Sequence, residues 1–339
     1  MYDVVALGEL LIDFAAVSSD GEGYPTMAAH PGGAPANFLA AVNRFGGKTA
    51  MIGKVGNDTF GRLLLGTLEK CGTDISGMRV TDEFFTTLAF VTFDGRGERS
   101  FAFSRKPGAD TRLSFEEVDT TLIDRARAFH FGTLSLTHEP ARTATYRAVE
   151  YARAAGKLIS FDPNLRRPLW SSLDEARGQM EWGLHRADIV KLSDEEADFL
   201  WGIAPEEAAE KLVRGYGVKL AFVTCGAEGC VYRSVRCAGA VPALGGLNVT
   251  DTCGAGDIFG GSAVWGVLKS GMAPEELDGD ELRKIVEFAT AAGPNGPAAA
   301  SFQQAQFEKF SSSGVDANAS LPIFITLSGI QTSSRLVQL

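Results

Sequence analysis

Two glycine-rich stretches that carry polar side chains hold the residues best suited to chemistry. One is Asp251-Thr-Cys-Gly-Ala-Gly-Asp257, followed by a long apolar, glycine-containing helical run to Lys269. Small residues directly ahead of a helix leave its first amides unblocked, and the positive end of the dipole faces whatever binds there. The amides of Gly254, Ala255 and Gly256 therefore suit charge building on a transferring phosphoryl group. Asp257, at the same helix start, can take the proton of an attacking hydroxyl. The plainer alternative is a glycine-rich turn beneath which Asp257 only complements the dipole. The other stretch is Pro31-Gly32-Gly33-Ala34-Pro35-Ala36-Asn37. Its glycines permit close backbone approach, and Asn37 offers a donor and an acceptor, as a polyol requires. A tight turn with an ordinary helix start explains it equally well. Asp13, after Gly8-Glu9-Leu-Leu-Ile, is either a hydroxyl acceptor or a solvated charge at a strand end.

Two familiar nucleotide signatures fail on inspection. Gly47-Lys48-Thr49 resembles the end of a phosphate-binding P-loop, but Val42 stands where its earlier glycine belongs. Gly254-Ala255-Gly256 resembles a dinucleotide fingerprint, but Phe259 occupies the place of the last glycine. An ordinary P-loop ATPase and a Rossmann dehydrogenase are both unsupported. The five cysteines contain no Cys-x-x-C, and with four scattered histidines they show no zinc spacing. They read as buried or half-buried thiols of a reducing compartment. A net charge of −10 argues against nucleic acid as a partner, while leaving room for an anionic small ligand held by local amides. No apolar run approaches the ~20 residues of a membrane span. No basic segment and cleavage site open the chain, so the expected location is cytoplasmic.

The elements that must position these residues alternate along the 339-residue chain. Apolar runs at Val4–Leu7, Ala50–Ile52, Ala128–Phe131, Leu158–Phe161, Ile189–Leu192, Leu220–Thr224 and Cys230–Tyr232 read as strands. Between them lie helices with readable ends. One starts at Pro35 and stops at Gly46-Gly47, one is capped by Asp58 and runs to Gly72, one runs from Pro140 to Gly156, and one is capped by Ser193. The spacing predicts an α/β fold with a mainly parallel central sheet flanked by helices. Residues 84–103 break the rhythm with two β-rich runs around Asp94-Gly95, a hairpin that could join Leu11–Ala16 in a small second sheet. Ligands of such folds lie at the carboxyl ends of the main strands, where the small sheet would serve as a lid. The expected division is a domain over 1–310, with a lid from about 10–30 and 84–106, and a poorly specified tail over 311–339.

The two stretches together resemble the PfkB carbohydrate kinase family, with its ribokinase-like fold, over about residues 2–292. Gly8-Glu9-Leu-Leu-Ile-Asp13, Gly32-Gly33-Ala-Pro-Ala-Asn37, Phe101-Ala-Phe103-Ser-Arg105, His130-Phe-Gly132, Asp162-Pro-Asn-Leu-Arg166 and Asp251-Thr-Cys-Gly-Ala-Gly-Asp257 are similar to segments of its fructokinase branch. The resemblance implies ATP-dependent, magnesium-dependent (Mg2+) phosphorylation of a sugar hydroxyl, D-fructose at C6 foremost. The same class of kinase acting on 2-keto-3-deoxygluconate, ribose or a nucleoside is the first alternative, and a sugar-binding member without catalysis is the second. It further implies Asp257 as base and the amides of Gly254, Ala255 and Gly256 as anion hole. The sugar set is Asp13, Gly32, Gly33 and Asn37, with Phe103, Arg105 and Arg166. The nucleotide set is Lys191, Thr224, Gly226, Gly229 and Thr290. A homodimer through the lid is the implied assembly.

Three departures stand out. Ser193-Asp-Glu-Glu196 replaces the family's Asn-x-x-Glu, so Glu196 reads both as a residue that organises magnesium indirectly and as half of a capping box with Ser193. Cys253 stands where threonine is common. Beyond Ala292 about five expected residues are missing, and Thr290 takes the place of an asparagine beside adenine. A potassium (K+) site involving Asp251 is thereby put in question.

Overall fold

The computed structural model describes residues 1–93, 99–243 and 254–292. In chain order the elements are β1 (Tyr2–Leu7), β2 (Leu11–Ser19), β3 (Pro25–Gly32), α1 (Ala34–Arg44), β4 (Thr49–Gly56), α2 (Thr59–Lys70), β5 (Thr73–Thr81), β6 (Leu88–Phe93) and β7 (Arg99–Ser104). Then come α3 (Thr120–Asp124), β8 (Ala126–Gly132), α4 (Ala141–Ala154), β9 (Leu158–Asp162), α5 (Leu173–Leu184), β10 (Ile189–Ser193) and α6 (Asp194–Trp201). The last are α7 (Pro205–Gly215), β11 (Leu220–Thr224), β12 (Cys230–Ser234), β13 (Ala238–Val241), α8 (Ala255–Ser270) and α9 (Gly279–Ala292).

Nine strands form the large sheet in the order β13-β12-β11-β10-β9-β8-β1-β4-β5. From β11 through β5 every neighbour is parallel; β12 and β13 add antiparallel strands at one edge. Strand β1 shows why its residues run apolar without alternation. Val5 and Leu7 enter a core with Phe129, Phe131 and the buried side of α4, while Val4 and Ala6 enter the opposite core with Phe38, Leu39 and Val264. A strand covered on both faces has no polar side to show.

The smaller sheet, in the order β3-β2-β6-β7, is the one expected from Leu11–Ala16 and residues 84–103. Strands β6 and β7 pair antiparallel from Leu88↔Ser104 to Phe93↔Arg99, and the Asp94–Gly97 turn between them lies outside the described residues. Strand β3 is an addition to the strands read from the sequence: it carries Pro25 and Pro31, pairs with β2 alone and is an edge of its sheet, where proline is tolerated. Helix starts follow the sequence closely. The Asp58 carboxylate accepts from Gly61 N–H at the start of α2, and Ser193 and Glu196 form a reciprocal capping box on α6. Residues 293–310 and the tail over 311–339 lie outside the described residues.

Candidate active site

The start of α8 meets the carboxyl ends of the parallel strands because α1 packs hard against it. Gly261 makes this possible: a Cβ there would stand 2.3 Å from the Phe38 carbonyl oxygen. At that separation Asn37, buried on α1, reaches Asp257 on α8, and its Nδ2 donates to Asp257 Oδ2 at 2.8 Å. Asn37 Oδ1 is buried with no hydrogen-bond partner among the described residues, an acceptor left for a bound hydroxyl. Gly254 begins α8 with a left-handed φ of 74°, and a Cβ on it would sit 3.1 Å from Asn37 Nδ2.

Asp257 is buried, and burial pushes its carboxyl above the ordinary range, opposed by the Asn37 bond and by the charges of Lys191 and Arg166. Lys191 projects from β10 into the same space; a Cβ on Gly256 would fall 2.7 Å from its Nζ. The ammonium therefore lies against the amide turn that opens α8. It is held by Asp162 at the end of β9, with Nζ 3.2 Å from Oδ2. Burial pushes the Asp162 carboxyl up to about 7 against the pull of Lys191, whereas the carboxylates of Asp162, Glu196 and Asp257 outweigh the burial of Lys191 and raise its ammonium above the ordinary value.

Several residues expected to bind the sugar lie near the same strand ends. Asp13 lies on β2 opposite His30, and a Cβ on Gly32 would stand 2.2 Å from its Oδ2, so any side chain there would have to displace that carboxylate. Burial raises Asp13 to about 6, Arg166 lowering it and Asp257 raising it further. Gly33, at φ 119°, brings its Cα side to within 2.6 Å, measured from an added Cβ, of the Glu9 carbonyl oxygen. Helix α1 has no side-chain cap of its own. The buried Glu9 carboxylate supplies one from across the chain, accepting from Ala34 N–H at 3.1 Å, and burial pushes that carboxyl up to about 7. Sequence reasoning missed Glu9 because the donor it serves is 25 residues away. It missed Asn164 too, whose Nδ2 donates to Asp257 Oδ1 at 3.3 Å.

Arg105 is placed differently from the sugar contact expected of it. It is 1% exposed, and its guanidinium is bonded to Asp110, to Thr137 Oγ1 and to the Leu134 carbonyl. Phe103 lies on β7 opposite Ala89, half-buried. Arg166 follows β9, half-buried, with its charge felt by both Asp13 and Asp257.

Among the residues expected to bind nucleotide, Thr224 closes β11 and its Oγ1 donates to the Leu192 carbonyl at 3.2 Å. Gly226 and Gly229 both have positive φ, and a Cβ on Gly229 would come within 2.1 Å of the Val241 carbonyl oxygen. Thr290 on α9 buries an Oγ1 with no partner among the described residues. Glu196 spends one oxygen on Leu165 N–H and the other on Ser193 N–H, each at 2.8 Å. Asp251 and Cys253 lie outside the described residues.

Residues 1–294 match the pfkB family carbohydrate kinase profile. The chain belongs to that family. Among curated relatives of this kinase, Fructokinase-1 of Zea mays is 45% identical over 296 residues, spanning 86% of this chain and 90% of that protein. Fructokinase-1 of Oryza sativa subsp. japonica is 44% identical over the same shares of each. A crystal structure of fructokinase with bound ATP from Xylella fastidiosa superposes with a TM-score of 0.78 at 29% identity, covering 90% of this kinase and 99% of that chain. A putative ribokinase II from E. coli, in complex with ATP and magnesium, gives 0.76 at 29% identity, covering 90% and 100%. The α/β architecture with a lid-like second sheet is thus shared with sugar kinases. Among the described residues no helix is long and apolar enough to cross a membrane.

Proposed function

We propose that this kinase transfers the terminal phosphoryl group of ATP to the C6 hydroxyl of D-fructose, giving fructose 6-phosphate and ADP. The observation that carries the reading is the 2.8 Å bond between Asn37 and Asp257, which joins the sugar-side loop to the carboxylate at the α8 amides. The plant fructokinase relatives favour fructose among sugars, and the ATP-bound relatives favour ATP as donor.

In this mechanism Asp13 and Asn37 Oδ1 accept sugar hydroxyls and fix the ring. Asp257 takes the C6 hydroxyl proton as the oxygen attacks the γ-phosphorus. The amides of Gly254, Ala255 and Gly256, with the Lys191 ammonium beside them, receive the charge that spreads over the phosphoryl oxygens. Arg166, whose field reaches both carboxylates, is the arginine proposed for the sugar; Arg105 braces the base of the lid through Asp110. Thr224, Gly226, Gly229 and Thr290 line the nucleotide side. The small sheet closes over the sugar and excludes water, which suppresses wasteful hydrolysis and strengthens every charge interaction inside.

Among the described residues no three His, Cys, Asp or Glu side chains are grouped to grip a bare metal ion. Glu196, whose two oxygens each accept a backbone N–H and keep a further lone pair, is the residue proposed to meet the water shell of magnesium carried in on the triphosphate. When bound, magnesium would neutralise the β- and γ-phosphate oxygens. A potassium site through Asp251 falls outside the described residues. We further propose a cytoplasmic enzyme that pairs lid to lid, since β3 and β7 are open edges and Val17 and Tyr24 expose apolar surface on the lid.

The test is ADP release by the purified chain with Mg2+-ATP and fructose, ribose, 2-keto-3-deoxygluconate, adenosine or no sugar. Turnover with fructose well above the other acceptors is expected. Preference for another acceptor would keep the chemistry and overturn the substrate. Sugar binding without turnover would overturn the kinase reading in favour of a binding protein.

A further inference from the structure

Asp257 is held on both carboxylate oxygens. Asn37 occupies Oδ2, and Asn164 Nδ2 donates to Oδ1 at 3.3 Å. Asn164 follows Asp162-Pro163 at the end of β9, and it alone among the described non-glycine residues has a positive φ, 46°. Asparagine enters this left-handed region more readily than most residues, and a non-glycine residue found there near a catalytic group points to a functional demand on its side chain.

The turn is fixed from two directions. Asn164 N–H donates to Asp162 Oδ1 at 3.1 Å, and Leu165 N–H donates to Glu196 Oε1 at 2.8 Å. Both carboxylates are themselves buried and anchored, Asp162 by Lys191 and Glu196 by the start of α6. The amide of Asn164 is therefore aimed by backbone geometry rather than by its own rotamer alone.

We propose that Asn164 is a positioning residue for phosphoryl transfer: its amide, presented by the left-handed turn, holds Asp257 Oδ1 so that the carboxylate keeps one orientation beside the α8 amides. Two amides, one on each oxygen, fix the plane of the base and leave a lone pair on each oxygen for the incoming hydroxyl proton. They also favour the ionised base against its burial. The charged groups around Asp257 are Lys191, Arg166, Asp13, Asp162 and Glu196, so loss of a neutral donor acts on a carboxylate already surrounded by both signs. This inference rests on Asp257 being the base of the proposed reaction.

The experiment compares Asn164→Gly, Asn164→Ala and Asn164→Asp with the unaltered kinase. Asn164→Gly keeps the turn and removes the amide. It should lower kcat roughly 10-fold or more, the size of a lost bond to a charged group, with both KM values within about twofold. The acid limb of kcat should move to higher pH, because the ionised base has lost a donor. Asn164→Asp should be slower still, a second carboxylate facing the first. Asn164→Ala, which must also enter the left-handed region, should melt earlier than Asn164→Gly while showing the same acid limb.

Normal kcat and an unmoved acid limb in Asn164→Gly would overturn the proposal. So would a kcat loss in Asn164→Ala that Asn164→Gly restores, which would mark a purely backbone role. A readout free of turnover separates this from the substrate assignment: the Asp257 carboxyl titration, followed by carboxyl 13C NMR and assigned by its absence in Asp257→Asn. If no sugar is phosphorylated, an upward shift of that titration in Asn164→Gly still supports the clamp, and an unshifted titration rejects it.

Discussion

Each side chain at the centre of the site is legible as a contest between burial and partners. Asp257 is driven toward the neutral form by burial and returned toward the charged form first by Asn37, then by Lys191 and Arg166. A base needs this balance, since a fully solvated carboxylate is too weak a proton acceptor and an unpartnered buried one arrives already protonated. Asp257→Asn should lower kcat by ~10²-fold or more, the usual size of general-base catalysis, with the fold retained but melting earlier, because the single amide oxygen can accept from Asn37 or from Asn164 but not from both. Steady-state ADP release beside a melting curve checks both halves. Asp13 makes a separable prediction. With its carboxyl raised to about 6, it becomes protonated as pH falls through that value, and a sugar hydroxyl loses an acceptor. The sugar KM should climb on the acid side of pH 6, and Asp13→Asn should show a high KM that no longer varies there. A wild-type KM flat across that range would remove Asp13 from the sugar set.

Elements explain why those side chains meet. Helices α1 and α8 approach closely enough only because residue 261 has no side chain, and a glycine in mid-helix costs ~1 kcal/mol of propensity relative to alanine. The cost is offset by placing Asn37 on Asp257. Gly261→Ala should recover that propensity and still lose stability, since overpacking typically costs about 1–3 kcal/mol. Its kcat should fall more than either KM rises, because the base is displaced more than the binding loops. Thermal melts with steady-state kinetics measure this, and unchanged kcat would show that the α1–α8 spacing does not set the base. Element boundaries were also the most readable level in the sequence. Asp58, Pro35 and Ser193 announce the starts of α2, α1 and α6 through local chemistry that needs no tertiary partner. Strand β3 was illegible for the converse reason: its prolines become acceptable only at a sheet edge, and edge position belongs to the assembled sheet.

At the scale of the molecule, a large parallel sheet buried on both faces carries the site at its strand ends, and a smaller sheet stands over it. The two differ in how they are secured. The large sheet has cores on both sides, whereas the lid strand β2 exposes its outer end from Val17 to Ser19. Segments with few buried contacts open at low free energy and gain most from a ligand. Hydrogen exchange with fructose present should therefore slow in β2, β3 and β6 and change little in β8 and β9. Equal protection of both sheets, or none in the lid, would sink the closing-lid reading.

By itself the sequence determined the rhythm of strands and helices and the glycine-rich start of α8, and it named the candidate base. These depend on residues close together in the chain, where capping, glycine freedom and periodicity act directly. Only the tertiary structure decided how distant groups pair. It buried Arg105 with Asp110 beneath the lid, gave Glu9 to the start of α1, and set Asn164 against Asp257 across 93 residues of chain. Hydrogen bonds between side chains far apart in sequence follow from strand order and helix spacing, and no local pattern encodes them.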